Sequence, residues 1–143
     1  MKIGKHHIHL HSMAIHYTLG LYPVAILFLG LSFLFPYDSL RSTYSYLMIV
    51  ATLSVPFSDA TGYLEWKEKY KGALVSIFKR KITFGLIVLG LGIITTVWHA
   101  MDPTILETKG LLRGLFLILN FAIVPCVLYL GHLGGKIIFS RSH

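Results

Sequence analysis

Five of the chain's eight histidines lie within HHIHLHSMAIH, from His6 to His16, just ahead of a long apolar run. Neutral imidazole ligates metals and moves protons near neutral pH, so the stretch invites three readings: a leftover tag, a metal-binding tail, or the mouth of a membrane helix that carries a cofactor ligand. His6, His7 and His9 are too interrupted for a tag, and neither carboxylate nor cysteine accompanies them, which assigns them to a juxtamembrane tail. His16 differs. Gly20, Pro23, Leu27 and Gly30 follow it at i+4, i+7, i+11 and i+14, so the five share one narrow helix face. Late in the chain Pro125, Tyr129 and His132 fall at i, i+4 and i+7, with Gly131, Gly134 and Gly135 around the histidine. Two imidazoles on permissive faces are the donor set of a b-type haem, which needs facing axial ligands, a slot free of bulky side chains, and cations for its propionates. His16 and His132 are the expected ligands of the haem iron, Gly20 part of the slot, and Lys79, Arg80, Lys81 and Lys136 the cations.

Asp59, in PFSDATG, is the ionisable residue set inside an apolar run, on a stripe with Thr52, Pro56 and Tyr63. An intramembrane carboxylate is costly, which makes Asp59 a candidate proton carrier, quinone contact or partner of a histidine's second nitrogen. Tyr129 joins it as a proton-handling candidate. His99 stands apart near the far end of the third run, as an interfacial residue and a secondary ligand candidate with Met101 or water. The chain contains no nucleophile elbow, HExxH, P-loop or dinucleotide fingerprint, and Cys126 alone makes neither a disulfide nor a thiolate site.

These residues need elements to hold them, and composition decides which. Of 143 residues, 55% are apolar and 13% charged, with mean hydropathy +0.68, so the solvent for most of the chain is lipid. Stretches of about 14–36, 43–65, 82–101 and 111–133 are long enough to cross a hydrocarbon core of roughly 30 Å. Lipid offers no hydrogen bonds to backbone groups, so each should be a helix. The expected architecture is an all-α, four-helix up-down membrane bundle forming a single domain. Ser12 is the expected N-cap of the first helix, residues 66–81 the one sizeable loop, and Glu65 and Glu68 solvated loop charges. The first run is longer than a signal peptide's and is kept as a permanent span. Ten of the thirteen basic residues fall at the end that holds both termini, which predicts cytoplasmic termini in a bacterial inner membrane and explains the +7 charge without nucleic acid. Pro23, Pro56 and Pro125 lie at matched depth, roughly 10 Å from that same end, and helix kinks there would splay this half of the bundle.

Three segments then carry a resemblance: His11-Ser12-Met13-Ala14-Ile15-His16-Tyr17-Thr18-Leu19, Ala60-Thr61-Gly62-Tyr63-Leu64-Glu65-Trp66, and His132-Leu133-Gly134-Gly135-Lys136-Ile137-Ile138-Phe139. In this order they resemble the pattern of an uncharacterised family of small bacterial four-helix membrane proteins. Its members start with HPxxVHFPIAL-like sequence, carry a glycine with an acidic residue late in helix two, and end near GGxLVY. The likeness covers almost the whole chain. Ser12 stands where the family has proline, and Lys81 near where many members carry a histidine on helix three. Relatives joined to Rieske or cytochrome c domains imply a place in electron transfer, with His11 and His16 as paired N-terminal histidines and His132 beside the final glycines.

The leading expectation is a haem b-binding membrane subunit passing electrons between a quinone pool and a redox partner, with Asp59 and His11 as supporting residues. Its partners would be the lipid bilayer, other membrane or redox subunits, or further copies of itself. The alternatives are a cofactor-free subunit anchoring a larger complex and, more weakly, a metal or proton permease.

Overall fold

A computed structural model describes the backbone of residues 4–139 and the side chains of residues 11–137. The side chains of His6, His7 and His9, read above as a tail, lie outside the described residues. Four long helices account for the fold: α1 (Gly4–Leu34), α2 (Asp38–Tyr70), α3 (Ser76–Met101) and α4 (Leu111–Phe139), with a short 3₁₀ turn at Pro103–Leu106 before α4. All four are long and apolar enough to cross a membrane. Each touches the next, and α4 closes on α1. Pairing is antiparallel throughout: Thr18 meets Ser54 and Tyr22 meets Thr52; Thr52 meets Thr96 and Ser45 meets His99; Phe84 meets Tyr129 and Trp98 meets Phe116. The all-α up-down bundle of the sequence reading is therefore present. Both described helix ends nearest the termini and the α2–α3 turn share one end of it, called here the terminal end.

At that end every helix runs further than its apolar stretch. α1 begins at Gly4, so Ser12 is interior and not an N-cap; α2 continues to Tyr70, α3 starts at Ser76, and α4 runs to Phe139. Hydropathy marks only where a helix is in hydrocarbon, and a helix continues past that level while it has a neighbour to pack on. The expected loop at 66–81 shrinks to a turn of residues 71–75. Lys71 (φ 49) and Gly72 (φ 75) end α2 in the left-handed region, where glycine is at ease, and the Trp66 indole N–H donates to the Ala73 carbonyl at 2.9 Å. Arg41, at the start of α2, pairs with Glu107 at 2.5 Å and ties down the opposite end.

The bundle interior is lined by Tyr22, Ala25, Leu29, Tyr44, Met48, Ala51, Val88, Phe116, Ile123 and Val127, while large apolar residues such as Leu53, Leu86, Ile118 and Leu128 face outward toward lipid. With tails as apolar as leucine outside, polar contacts help hold such helices together. The buried Tyr44 hydroxyl donates to Asn120 Oδ1 at 2.6 Å, and Asn120 Nδ2 donates to the Phe116 carbonyl at 2.9 Å. Asn120→Leu should therefore lower stability by about 1 kcal/mol, because a buried hydroxyl loses its acceptor. Adding Tyr44→Phe should recover part of the loss in thermal unfolding of the detergent-solubilised protein. An equal loss in both backgrounds would show that this bond does not couple α2 to α4.

Candidate functional site

The terminal half of the bundle encloses a cavity of roughly 470 Å³, within the size range of small-molecule sites. All four helices contribute: His11, Thr18 and Leu19 from α1; Val55, Ser58, Asp59, Gly62, Tyr63 and Trp66 from α2; Phe78, Lys81, Ile82, Gly85 and Leu86 from α3; Val127 and Leu130 from α4. It lies on the terminal side of Pro23 and Pro125 and begins beside Pro56. Its walls are mostly apolar, with His11 and Lys81 toward the terminal end and Thr18, Ser58 and Asp59 further in.

His11 is the centre of that group. Its Nδ1 is 3.1 Å from Thr61 Oγ1. The Thr61 hydroxyl has one proton, directed at the backbone carbonyls of Ser58 (2.9 Å) and Phe57 (3.1 Å), so its oxygen accepts from Nδ1–H. In the neutral ring this leaves Nε2 as an acceptor, and Lys81 Nζ stands 3.4 Å from it. Glu65 Oε2 lies 3.8 Å from the same nitrogen, and Glu65 also pairs with Lys69 one turn on. Lys81 interacts electrostatically with both Glu65 and Asp59. Glu65 thus belongs to the site and is not the solvated loop charge its sequence context suggested. The cluster holds donors, acceptors and both signs of charge against an apolar wall.

Two glycines make the geometry possible. A Cβ on Gly62 would stand 2.8 Å from His11 Cε1, so only glycine lets the imidazole lie against the α2 backbone. A Cβ on Gly85 would stand 3.2 Å from Asp59 Oδ1, so the carboxylate rests on the α3 backbone. His11, Asp59 and Lys81, three of the sequence candidates, are therefore brought to one cavity. Thr61, Glu65, Gly62 and Gly85 were not singled out from the sequence as site residues. Their signal was present as a polar or small residue every turn on helices otherwise apolar.

The other candidates stand elsewhere. His16 and Gly20 are exposed on α1, and His132 is exposed on α4. Helix geometry explains the split: five residues turn α1 by about 140°, so His11 points inward when His16 points out. Leu19 lies against Gly131, its Cδ1 3.5 Å from where a Cβ would be, so the α1–α4 seam is filled beside both imidazoles. A haem sandwiched there by His16 and His132 does not fit this packing. Tyr129 packs on Phe84, ring centroids 4.6 Å apart, and does not line the cavity. His99 is held at the opposite end, with Nδ1 2.8 Å from Ser45 Oγ and its ring edge-on to Tyr44 at 5.5 Å. Its Nε2 is buried without a partner among the described residues, and Met101 is exposed.

The chain belongs to the family described as "Predicted membrane protein (DUF2231)", whose model matches residues 7–142. Comparison with curated proteins and with solved structures gives no match.

Proposed function

We propose that this membrane protein is a quinone-binding subunit that exchanges electrons between a quinone pool and a redox partner, with His11, Lys81 and Asp59 around the quinone head. One observation carries the reading: an apolar cavity at membrane depth is lined by an imidazole, an ammonium and a carboxylate. A quinone head matches that combination, being flat and apolar apart from two carbonyls, or two hydroxyls when reduced. Interconversion of quinone and quinol moves two electrons and two protons. Lys81 Nζ donates to a carbonyl oxygen. His11 Nε2 accepts from a hydroxyl, and Thr61 fixes the tautomer in which it can. When quinol is oxidised, His11 Nε2 and Asp59 each take one of the two protons, and each returns it when quinone is reduced; the two electrons pass one at a time, in successive encounters, to a one-electron carrier in the partner protein. In this reading the basic terminal end faces the cytoplasm of a bacterial cell and offers that partner a cationic surface.

Trp66 lines the cavity, so its fluorescence should be quenched saturably by a quinone analogue titrated into protein in lipid nanodiscs. Lys81→Met removes a charged hydrogen-bond donor worth about 1.5–3 kcal/mol, which corresponds to an affinity loss of about tenfold or more. His16→Ala and His132→Ala should leave the affinity where it was. Absence of saturable quenching would remove the quinone reading and leave the cofactor-free anchoring subunit in its place. Equal losses from His16→Ala and Lys81→Met would move the site to the outer face of α1.

A further inference from the structure

The cavity has four exposed wall residues, and all stand on two helices: Asp59 and Tyr63, one turn apart on α2, and Ile82 and Leu86, one turn apart on α3. The wall residues from α1 and α4 are buried or half-buried. The mouth therefore opens sideways between α2 and α3. Asp59 and Leu86 are each about 15 Å along their helix from the residues that flank the α2–α3 turn, so the opening faces hydrocarbon rather than water.

The terminal end of the cavity, nearest water, is floored by aromatic rings. The Trp66 and Phe78 centroids are 6.5 Å apart and Tyr70 stacks edge-on to Phe78 at 4.7 Å, while the Trp66 N–H is pinned to Ala73. A ligand arriving from water meets this floor. One arriving through the bilayer meets Ile82, Leu86 and the Tyr63 ring. Of the groups that would hold a head, His11 and Lys81 lie on the floor side and Asp59 borders the opening, which lies toward the membrane interior, so a bound molecule is oriented with its apolar part toward lipid.

We infer that the site takes a long-tailed, membrane-dissolved ligand, admitted sideways through the α2–α3 mouth, with its tail left lying between Tyr63 and Leu86 in the bilayer. The inference rests on the quinone reading above and narrows it to quinones with an isoprenoid or alkyl tail. Gly85 lies at the edge of this mouth and seats the Asp59 carboxylate against α3, since a Cβ there would stand 3.2 Å from Asp59 Oδ1.

The test uses the full chain in nanodiscs with Trp98→Phe, which leaves Trp66 as the single reporter of the two tryptophans. Decyl-tailed and tail-less 2,3-dimethoxy-5-methylbenzoquinone are titrated separately, with concentrations expressed in the lipid phase so that partitioning does not imitate binding. Two variants narrow the mouth, Ile82→Phe and Leu86→Phe; both keep the glycine seat under Asp59 and change only positions exposed at the opening. Each should weaken the decyl quinone by roughly tenfold and leave the tail-less quinone at the parent affinity. Equal losses for both ligands, or no loss for the decyl quinone in either variant, would overturn the sideways mouth while the quinone site stood. Failure of both ligands to quench the parent protein would instead overturn the quinone reading itself.

Discussion

Gly92→Val is expected to lower the stability of the detergent-solubilised protein by about 3 kcal/mol or more, far beyond any change on the lipid-facing surfaces. Gly92 is buried on α3, and a Cβ there would stand 2.5 Å from the Tyr22 hydroxyl and 2.7 Å from Thr52 Oγ1. Those groups are not free to withdraw. Tyr22 donates to Thr52 at 3.3 Å, and Thr52 lies 3.4 Å from the Thr96 hydroxyl, so α1, α2 and α3 meet at one point. A side chain must force the helices apart, at about 1–3 kcal/mol for overpacking, or turn buried hydroxyls away from their partners, at about 1–3 kcal/mol each. Gly90→Val on the same helix supplies the control, because a Cβ there meets nothing within 4 Å while the change in helix propensity is the same. The difference between the two unfolding free energies isolates the packing term. If Gly90→Val proved as damaging as Gly92→Val, the three-helix junction would contribute nothing.

That contrast also explains why the bundle was legible in the sequence and its interior was not. Length and apolarity are enough to find helices that cross a membrane, and four came out at the expected places. Which face of each helix turns inward is a different question. In water an apolar stripe marks the core, but in lipid both faces are apolar and the stripe loses its meaning. The face of α1 with His16, Gly20 and Leu27 was a plausible packing stripe, yet all three residues are exposed. The inward face is instead marked by the groups lipid tolerates least: His11, Thr18, Tyr22 and Ser32 on α1, and Tyr44, Thr52, Ser58 and Thr61 on α2 are all buried. Asp59 obeys a variant of this rule, exposed at the mouth with its carboxylate seated on the backbone of the next helix. Read by polarity rather than by apolar period, the sequence would have favoured His11 over His16. No rule of periodicity could reveal that Glu65 joins the site, because that depends on α2 continuing to Tyr70 beside the longer α1.

Gly62→Ala should weaken quinone binding about as much as His11→Ala, roughly tenfold, although glycine has no side chain to offer a ligand. The effect acts through the imidazole. A Cβ at residue 62 would press on His11 Cε1 at 2.8 Å and on both ring nitrogens at 3.4 Å, and the ring is already fixed on Thr61 at one edge and faces Lys81 at the other. It can relieve the contact only by leaving the α2 backbone, which breaks the bond that sets its tautomer and carries Nε2 away from the cavity. A double-mutant cycle separates this from general damage to the bundle. In the His11→Ala background there is no ring to displace, so Gly62→Ala should cost nothing more, and the double variant should bind as the single ones do. Gly131→Ala, beside His132, adds a methyl group at ordinary contact distance from Leu19 and should leave affinity unchanged. Additive losses for Gly62→Ala and His11→Ala would mean that the glycine acts on the fold and not on the imidazole, and His11 would then lose its place at the quinone head.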